Sequence, residues 1–331
     1  MNARAQPLDP ELSAPLQGFL EGTGGGFNLR DIPGTRRLVD GIIAAVKAEV
    51  PRIEGVESED RRIPGYGGGP EVTVRIYRPV GRGEPLPALV WMHGGGWVLG
   101  NLELDDLMAA QLAKSVQCAV VSVDYRLAPE HPFPAALHDA YAALKWLAAE
   151  SGRLGVNGAR IAVGGASAGG NLAAALALMA RDHAEVAPAF QLLIYPSLDD
   201  RSAQPAGDAL PETLLWTREN SILAWTAYLG RPPGNGDVSA YAAPARADDL
   251  LGLPPAYIPV GTLDPFLDDN IEYARRLLAA GVPTELHVYP GAFHAFDVFA
   301  PTGRISQQFV ADRDNVLRRV MHPASSPPPA T

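Results

Sequence analysis

The sequence predicts an α/β fold in which helices cover both faces of a mainly parallel sheet. Short apolar segments alternate with segments of helix length over most of the chain, as is typical of βαβ units. Most of these apolar segments are continuous, which indicates parallel strands buried on both faces. The chain has 331 residues, of which 47% are hydrophobic, so it is large enough to bury a substantial core.

The first strand is predicted from residue 71, where Val72, Val74 and Ile76 alternate with more polar neighbours. This period of two indicates a strand with one buried face. Later strands are predicted from apolar runs at 88–92, 118–123, 161–163, 192–195, 257–260 and 286–289. Helix-length segments lie between or after them at 102–116, 135–149, 168–181, 268–280 and 305–320. The carboxyl ends of the parallel strands should share one edge, where open α/β sheets bind ligands.

Two stretches fall outside this alternation. The first 45 residues contain helix-like segments without a strand signal, and a helical region with Trp216, Trp225 and Tyr228 interrupts the strands. We expect both stretches to form a cap over the carboxyl edge of the sheet. The predicted organisation is an N-terminal cap segment at 1–45, a first core part at 46–197, an inserted cap segment at 198–243, a second core part at 244–322 and a disordered tail at 323–331.

The composition restricts the partners and the location of the protein. The net charge is −10 and the pI is near 5.2, so nucleic acid is not an expected partner. The single cysteine, Cys118, excludes an internal disulfide and a thiolate zinc site, and its apolar neighbours favour a buried structural role. We see neither a run of about 18 apolar residues nor an evident signal peptide, so we expect no membrane span and a cytoplasmic location.

A serine motif follows the strand predicted at 161–163. Residues 165–169 read Gly-Ala-Ser-Ala-Gly, a G-x-S-x-G sequence that leads directly into an alanine-rich helix. A serine on such a sharp strand-to-helix turn points its hydroxyl over the sheet edge, and only small neighbours permit the turn. The start of the helix also offers unpaired N–H groups and a positive dipole end to a developing oxyanion. Ser167 is therefore the candidate nucleophile.

A glycine-rich segment follows the strand predicted at 88–92. Residues 93–97 read His-Gly-Gly-Gly-Trp, which permits close approach of backbone N–H groups to a ligand. We expect the N–H groups of Gly94, Gly95 and Ala168 to form an oxyanion hole for a tetrahedral intermediate. A phosphate-binding loop is disfavoured because no Gly-Lys-Ser/Thr sequence follows, whereas a plain flexible loop remains an alternative.

A serine nucleophile needs a base, and His294 is the preferred histidine of the seven. It follows the last predicted strand, at the sheet edge where Ser167 should emerge, and a neutral imidazole can take the serine proton. The other histidines are more simply explained as structural or surface residues: His93, His131, His138, His183, His287 and His322.

The imidazole in turn needs an acid that fixes its tautomer, and Asp264 is preferred. It follows the strand at 257–260, again at the carboxyl edge. Asp268 and Asp269 are explained as helix-capping residues, while Asp199 and Asp200, after the strand at 192–195, are the rival acids. Serine, aspartate and histidine, each in a loop after a separate strand, follow the chain order expected for an α/β-hydrolase.

Taken together, these motifs resemble the hormone-sensitive-lipase family of carboxylesterases, also called bacterial family IV. The likeness extends from about residue 70 to 320 and also includes the segments 124–135, 169–171, 264–265 and 294–296. It implies an α/β-hydrolase core with a helical cap, no metal or organic cofactor, and a short- or medium-chain ester as substrate. A homodimer formed through an edge strand is a further family-based expectation. The residue before the nucleophile departs from the family, because Ala166 stands where a polar residue is usual.

The expected function is that of a serine carboxylesterase acting through an acyl-enzyme on Ser167. We expect its substrate pocket to include Trp97 together with Leu214, Leu215 and Trp216 from the cap, although the cap aromatics could equally form a local core. Amide hydrolysis, lactone opening and deacetylation use the same machinery and stay open. A ligand-binding receptor is the alternative from another class, since this fold includes a plant hormone receptor that has lost the catalytic histidine. The presence of His294 favours turnover.

Overall fold

The computed structural model describes residues 7–81, 83, 85–203, 215–234 and 236–323. Within these ranges a single sheet has the strand order β1-β2-β4-β3-β5-β6-β7-β8. All neighbouring pairs from β4 to β8 are parallel, whereas β2 runs antiparallel to both of its neighbours. The strands are β1 Val56–Ile63, β2 Val72–Pro79, β3 Leu86–Met92, β4 Ala119–Asp124, β5 Val156–Ala166, β6 Phe190–Ile194, β7 Ala256–Leu263 and β8 Thr284–Phe293.

Helices cover both faces of the sheet, which confirms the predicted fold class. Alternate residues of β3 enter different buried clusters: Val90 and Met92 on one face, Leu89 and Trp91 on the other. This explains why the strand reads as a continuous apolar run. The helices are α1 Pro10–Thr23, α2 Ile32–Glu49, α3 Asp106–Val116, α4 Ala135–Ala149, α5 Ala168–His183, α6 Arg218–Leu229, α7 Leu267–Ala279, α8 Phe296–Phe299 and α9 Arg304–Met321.

The sequence did not predict β1. Its residues from 57 to 62 are all exposed, because β1 lies at the edge of the sheet and pairs only with β2. They read Glu-Ser-Glu-Asp-Arg-Arg, so neither alternation nor an apolar run marks the strand. Charged residues on an edge strand are common, since they oppose pairing with other chains.

Hydrogen bonds from a side chain of one predicted cap stretch to backbone groups of the other join the two stretches. Asn220, on α6, donates to the carbonyl of Phe27 at 2.9 Å and accepts from the N–H of Leu29 at 3.2 Å. The inserted segment contributes α6 and, within its described residues, no strand. Residues 204–214 and 324–331 of the predicted cap and tail lie outside the described residues, and the domain division stays a prediction.

In the part of the chain that the structure describes, no helix combines the length and the apolar character needed to cross a bilayer.

Candidate active site

Ser167 lies on a strained turn between β5 and α5. Its backbone has φ 56° and ψ −116°, a conformation that costs about 1–3 kcal/mol for a residue with a side chain. The flanking glycines make the turn possible through close packing. A Cβ on Gly165 would lie 2.3 Å from the backbone of Gly169, and one on Gly169 would lie 2.0 Å from the Met92 carbonyl oxygen. Larger residues at these two positions would force the turn open.

The structure brings Ser167, His294 and Asp264 into one hydrogen-bonded chain. His294 Nε2 lies 2.9 Å from Ser167 Oγ, and His294 Nδ1 lies 2.7 Å from Asp264 Oδ2. All three residues are buried. Asp264 Oδ1 accepts the backbone N–H of Phe266 at 2.9 Å, which fixes the carboxylate plane. Asp264 and His294 directly follow the ends of β7 and β8, so neighbouring parallel strands set their separation.

Two aromatic rings hold the His294 imidazole from the sides. Tyr195 and Phe266 meet it edge to face, with ring centroids 4.9 Å and 5.1 Å away. The Tyr195 hydroxyl donates to Asp297 Oδ1 at 2.9 Å, so the tyrosine ring is itself anchored. Sequence analysis did not identify Tyr195, because nothing in the apolar run 192–195 distinguishes it from a core residue.

Two of the three predicted oxyanion donors, Gly94 and Ala168, lie beside the serine. A Cβ on Gly94 would lie 3.7 Å from Ser167 Cβ, so the backbone of Gly94 runs beside the serine side chain. Ala168 is the first residue of α5, and its N–H therefore has no acceptor within the helix. The N–H of Ser167 itself donates to the Ile194 carbonyl oxygen at 2.9 Å. Gly95 has φ 111°, which residues other than glycine rarely adopt.

His93 stabilises the loop that carries these glycines. The His93 side chain is buried with Nδ1 2.7 Å from the Gly94 carbonyl oxygen, and the Tyr125 hydroxyl donates to the His93 carbonyl at 2.8 Å. Burial lowers the pKa of His93 to about 4, although the Gly94 carbonyl opposes this shift. His93 is thus neutral near pH 7, as expected of a residue that orients the loop.

Arg36 of α2 holds the far side of the same loop, and sequence analysis missed it. Its guanidinium donates to the carbonyl oxygens of Val98 and Ala128 at 2.8 Å and 2.9 Å and pairs with the Glu130 carboxylate. These partners lie between 62 and 94 residues away along the chain, so no local pattern could indicate the contact.

A cavity with about 200 Å³ of empty space opens beside Ser167. Two of the predicted pocket residues, Trp97 and Trp216, line it. Leu215 is buried but is not among the lining residues, and Leu214 lies outside the described residues. Among the described residues, the lining consists of Gly96, Trp97, Ser167, Ala168, Ser197, Trp216, Ser221, Ala224, Trp225 and Phe266.

The rival acids have other partners. Asp200 pairs with Arg246 and accepts the N–H of Gly234, and Asp199 pairs with Arg201. Asp269 lies in the first turn of α7, where burial raises its pKa to about 7. Within the described ranges, no three His, Cys, Asp or Glu side chains are grouped so as to hold a metal ion.

Comparisons with protein-family models, with curated proteins and with solved structures all point to the same family. A family model described as an alpha/beta hydrolase fold matches residues 89–298. Carboxylesterase NlhH of Mycobacterium tuberculosis is 39% identical over 271 residues, which cover 80% of this chain and 83% of that protein. Ethyl acetate hydrolase of Pseudomonas putida is 35% identical over 236 residues, which cover 69% and 72%, respectively.

Among solved structures, a bacterial heroin esterase matches with a TM-score of 0.90 and 43% identity, over 95% of this chain and 98% of that chain. These matches confirm the resemblance to the hormone-sensitive-lipase carboxylesterases. The chain therefore belongs to the alpha/beta hydrolase fold family, in the group that contains carboxylesterases and esterases, and it is a hydrolase.

Proposed function

We propose that the chain is a serine carboxylesterase that hydrolyses short- to medium-chain carboxylic esters through an acyl-enzyme on Ser167. The observation that carries the proposal is the position of one imidazole between two partners. Its Nε2 lies 2.9 Å from the serine hydroxyl, and its Nδ1 lies 2.7 Å from the Asp264 carboxylate. This is the arrangement that activates a serine nucleophile.

In the first half of the reaction, His294 Nε2 takes the proton of Ser167 as its Oγ bonds to the ester carbonyl carbon. The negative charge on the tetrahedral oxygen is bound by N–H groups of Gly94, Gly95 and Ala168, while Asp264 stabilises the imidazolium. The intermediate then expels the alcohol, which receives the proton from His294, and the acyl group stays on the serine.

In the second half, water replaces the alcohol. His294 accepts a proton from the water as its oxygen attacks the acyl carbon, and a second tetrahedral intermediate forms. Its collapse breaks the bond to Ser167 Oγ, and the proton on His294 returns to the serine. The products are a carboxylic acid, an alcohol and the unchanged enzyme.

The cavity supports an uncharged substrate of limited size. Its walls are mostly aromatic or small apolar residues, which favour an ester over a charged ligand. Part of the cavity's empty space is open to solvent, and only about 10 Å³ is room for a group the size of water, far below the roughly 300–1,000 Å³ of sites that enclose drug-sized ligands. The similarity to an enzyme named for ethyl acetate, an ester of a short acid and a short alcohol, points in the same direction.

The decisive test is the substitution Ser167→Ala, assayed with 4-nitrophenyl butyrate. We expect kcat to fall by about 10⁴- to 10⁶-fold because the covalent step is lost. A fluorophosphonate should label the wild-type protein once per chain, on the peptide that contains Ser167, and should not label the variant.

Ser197→Ala is the matched control, since Ser197 lines the same cavity and, among the described residues, has no hydrogen bond to His294. It should still be labelled to completion. Near-normal activity of Ser167→Ala, or a label that maps to another residue, would exclude the proposed nucleophile. A wild-type chain that binds esters but stays unlabelled would indicate a receptor instead.

A further inference from the structure

Three aromatic residues behind the cavity form a compact group, two tryptophans and a tyrosine, here called the indole cluster: Trp97, Trp225 and Tyr228. Trp97 stacks on Tyr228 with centroids 4.4 Å apart and planes at 9°, and its ring lies 4.5 Å from that of Trp225. Each residue is at most 2% exposed. Trp97 and Trp225 also line the cavity beside Ser167.

Each member of the indole cluster keeps one polar atom unpaired. Trp97 Nε1, Trp225 Nε1 and the Tyr228 hydroxyl are buried without a hydrogen-bond partner among the residues that the structure describes. Leaving such an atom unpaired costs about 1–3 kcal/mol, so most buried polar atoms have partners. The three atoms belong to rings that contact each other, and two of these rings line the cavity, so a substrate atom could supply the missing partner.

The neighbouring tryptophans show the contrast. Trp216 lines the same cavity, but its indole N–H donates to Ser221 Oγ at 3.0 Å. Trp91, in the core of the sheet, donates to Asp105 Oδ2 at 2.8 Å. The fold thus satisfies a buried indole N–H elsewhere, and the two unpaired ones are those of the indole cluster.

We propose, on the basis of the function proposed above, that the indole N–H groups of Trp97 and Trp225 bind a neutral acceptor oxygen of the substrate. An indole N–H can only donate, so its ligand atom must be an acceptor. The preferred substrates are therefore esters that carry an ether or second ester oxygen a few bonds from the scissile carbonyl. A carboxylate is disfavoured because the described part of the cavity lining contains no cationic side chain and the protein has a net charge of −10.

The test compares isosteric substrates that differ in one atom. On the acyl side, 4-nitrophenyl methoxyacetate is paired with 4-nitrophenyl butyrate; on the alcohol side, 2-methoxyethyl acetate is paired with butyl acetate. Each kcat/KM is divided by the rate constant for hydroxide hydrolysis, which removes the intrinsic reactivity. For the wild type we expect the corrected ratio of oxygen ester to alkyl ester to be about five to ten in at least one pair, the size of one neutral hydrogen bond.

Trp97→Phe and Trp225→Phe remove each N–H while keeping an aromatic ring. At least one of them should bring the ratio close to one, and two separate variants keep the test valid if one fails to fold. Trp216→Phe is the matched control. It replaces an indole by a smaller ring in the same cavity, but the N–H that it removes is already donated to Ser221. It should keep the wild-type ratio.

A corrected ratio near one in both wild-type pairs would overturn the inference, as would an equal loss in the Trp216→Phe control. In either case, butyrate hydrolysis that depends on Ser167 would leave the proposed esterase function standing. Loss of that dependence would instead remove the proposed function itself.

Discussion

The backbone of Ser167 sets the direction in which its side chain points, toward His294 Nε2 at 2.9 Å. Its N–H donates to the Ile194 carbonyl of β6, and its carbonyl accepts the N–H of Asn171 in α5. These bonds hold a positive φ that a free chain would avoid. The hydroxyl is therefore presented to His294 before any substrate binds, and the associated strain is balanced by the rigid sheet and helix on either side.

Two partly buried carboxyl groups lie near the reacting residues without taking part in the proposed chemistry. Burial raises the pKa of Asp105 to about 6; hydrogen bonding from Trp91 opposes this shift, and the charge of Asp297 adds to it. Burial likewise raises the pKa of Asp297, which accepts the Tyr195 hydroxyl. Stability should therefore depend on pH in the range where these groups ionise.

We expect Asp105→Asn to stabilise the protein near neutral pH and to have little effect near pH 4. The folded-state pKa, about 6, exceeds the ordinary value of 3.8, so the folded chain binds this proton more tightly than the unfolded chain. Stability is then lost as the pH rises from about 4 to about 6. Asparagine removes the ionisation and keeps an oxygen for Trp91, so the gain above pH 7 should be about 1–3 kcal/mol.

Urea unfolding at about pH 4, 6 and 8 measures the difference between the variant and the wild type. Asp248→Asn, at an exposed position, is the control and should change the free energy of unfolding by less than about 0.5 kcal/mol at each pH. An Asp105→Asn effect that is the same at every pH, or a loss of stability at pH 8, would contradict the prediction.

At the scale of elements, α6 is tied to the N-terminal segment by Asn220 and by the ion pair between Glu219 and Arg30. Asn220 bonds both Phe27 and Leu29, about 190 residues earlier in the chain, and α6 also carries Trp225 to the cavity. The Trp216 ring just before α6 packs so close to Gly96 that a Cβ there would lie 2.7 Å from it. The wall of the cavity thus depends on how α6 is held.

Asn220→Ala should loosen this wall. Removing the side chain leaves the Phe27 carbonyl and the Leu29 N–H without a partner, and we expect a loss of about 2–4 kcal/mol in the free energy of unfolding. The acyl-length profile, measured as kcat/KM for 4-nitrophenyl esters from acetate to decanoate, should broaden toward longer chains.

Thr226→Ala is the control on the same helix, since the Thr226 hydroxyl bonds only the Ile222 carbonyl one turn earlier in the contacts seen here. It should lower stability by less than about 1 kcal/mol and leave the profile unchanged. A profile for Asn220→Ala that matches the wild type would show that α6 does not limit the acyl chain.

The elements differ in how far the sequence could predict them. Helix α4 matches its predicted bounds, 135–149, because Pro134 directly precedes it and its sequence is rich in the strong helix formers Ala and Leu. Only residues 161–163 of β5 were predicted, since the preceding residues 157–160 are polar or small and mostly exposed. The motif residues Ser167 and His294 were identifiable because the turn requires small neighbours and the chain order is constrained. Contacts such as that of Asn220 leave no local pattern and could not be predicted.

At the scale of the whole molecule, the two edges of the sheet have different chemistry. The edge strand β1 exposes six consecutive polar residues, 57–62, which oppose pairing with another chain. At the other edge, the end of β8 is covered where Asp9 donates its N–H to the Gly291 carbonyl at 3.0 Å. The earlier part of β8 has no strand on its outer side among the described residues, and it exposes Val288. The homodimer expected from the family would therefore pair along β8.

Val288→Glu tests this dimer. In a two-fold pairing of β8 with a second copy, the substitution brings two like charges close together across the interface, and it also removes an apolar contact. We expect the dimer dissociation constant to rise by at least about tenfold, a change of about 1.4 kcal/mol, as measured by sedimentation equilibrium. Val80→Glu introduces the same charge at an exposed valine beyond β2, so it should leave the dissociation constant unchanged. A wild-type chain that stays monomeric at micromolar concentration, or a dimer that tolerates Val288→Glu, would rule out association through β8.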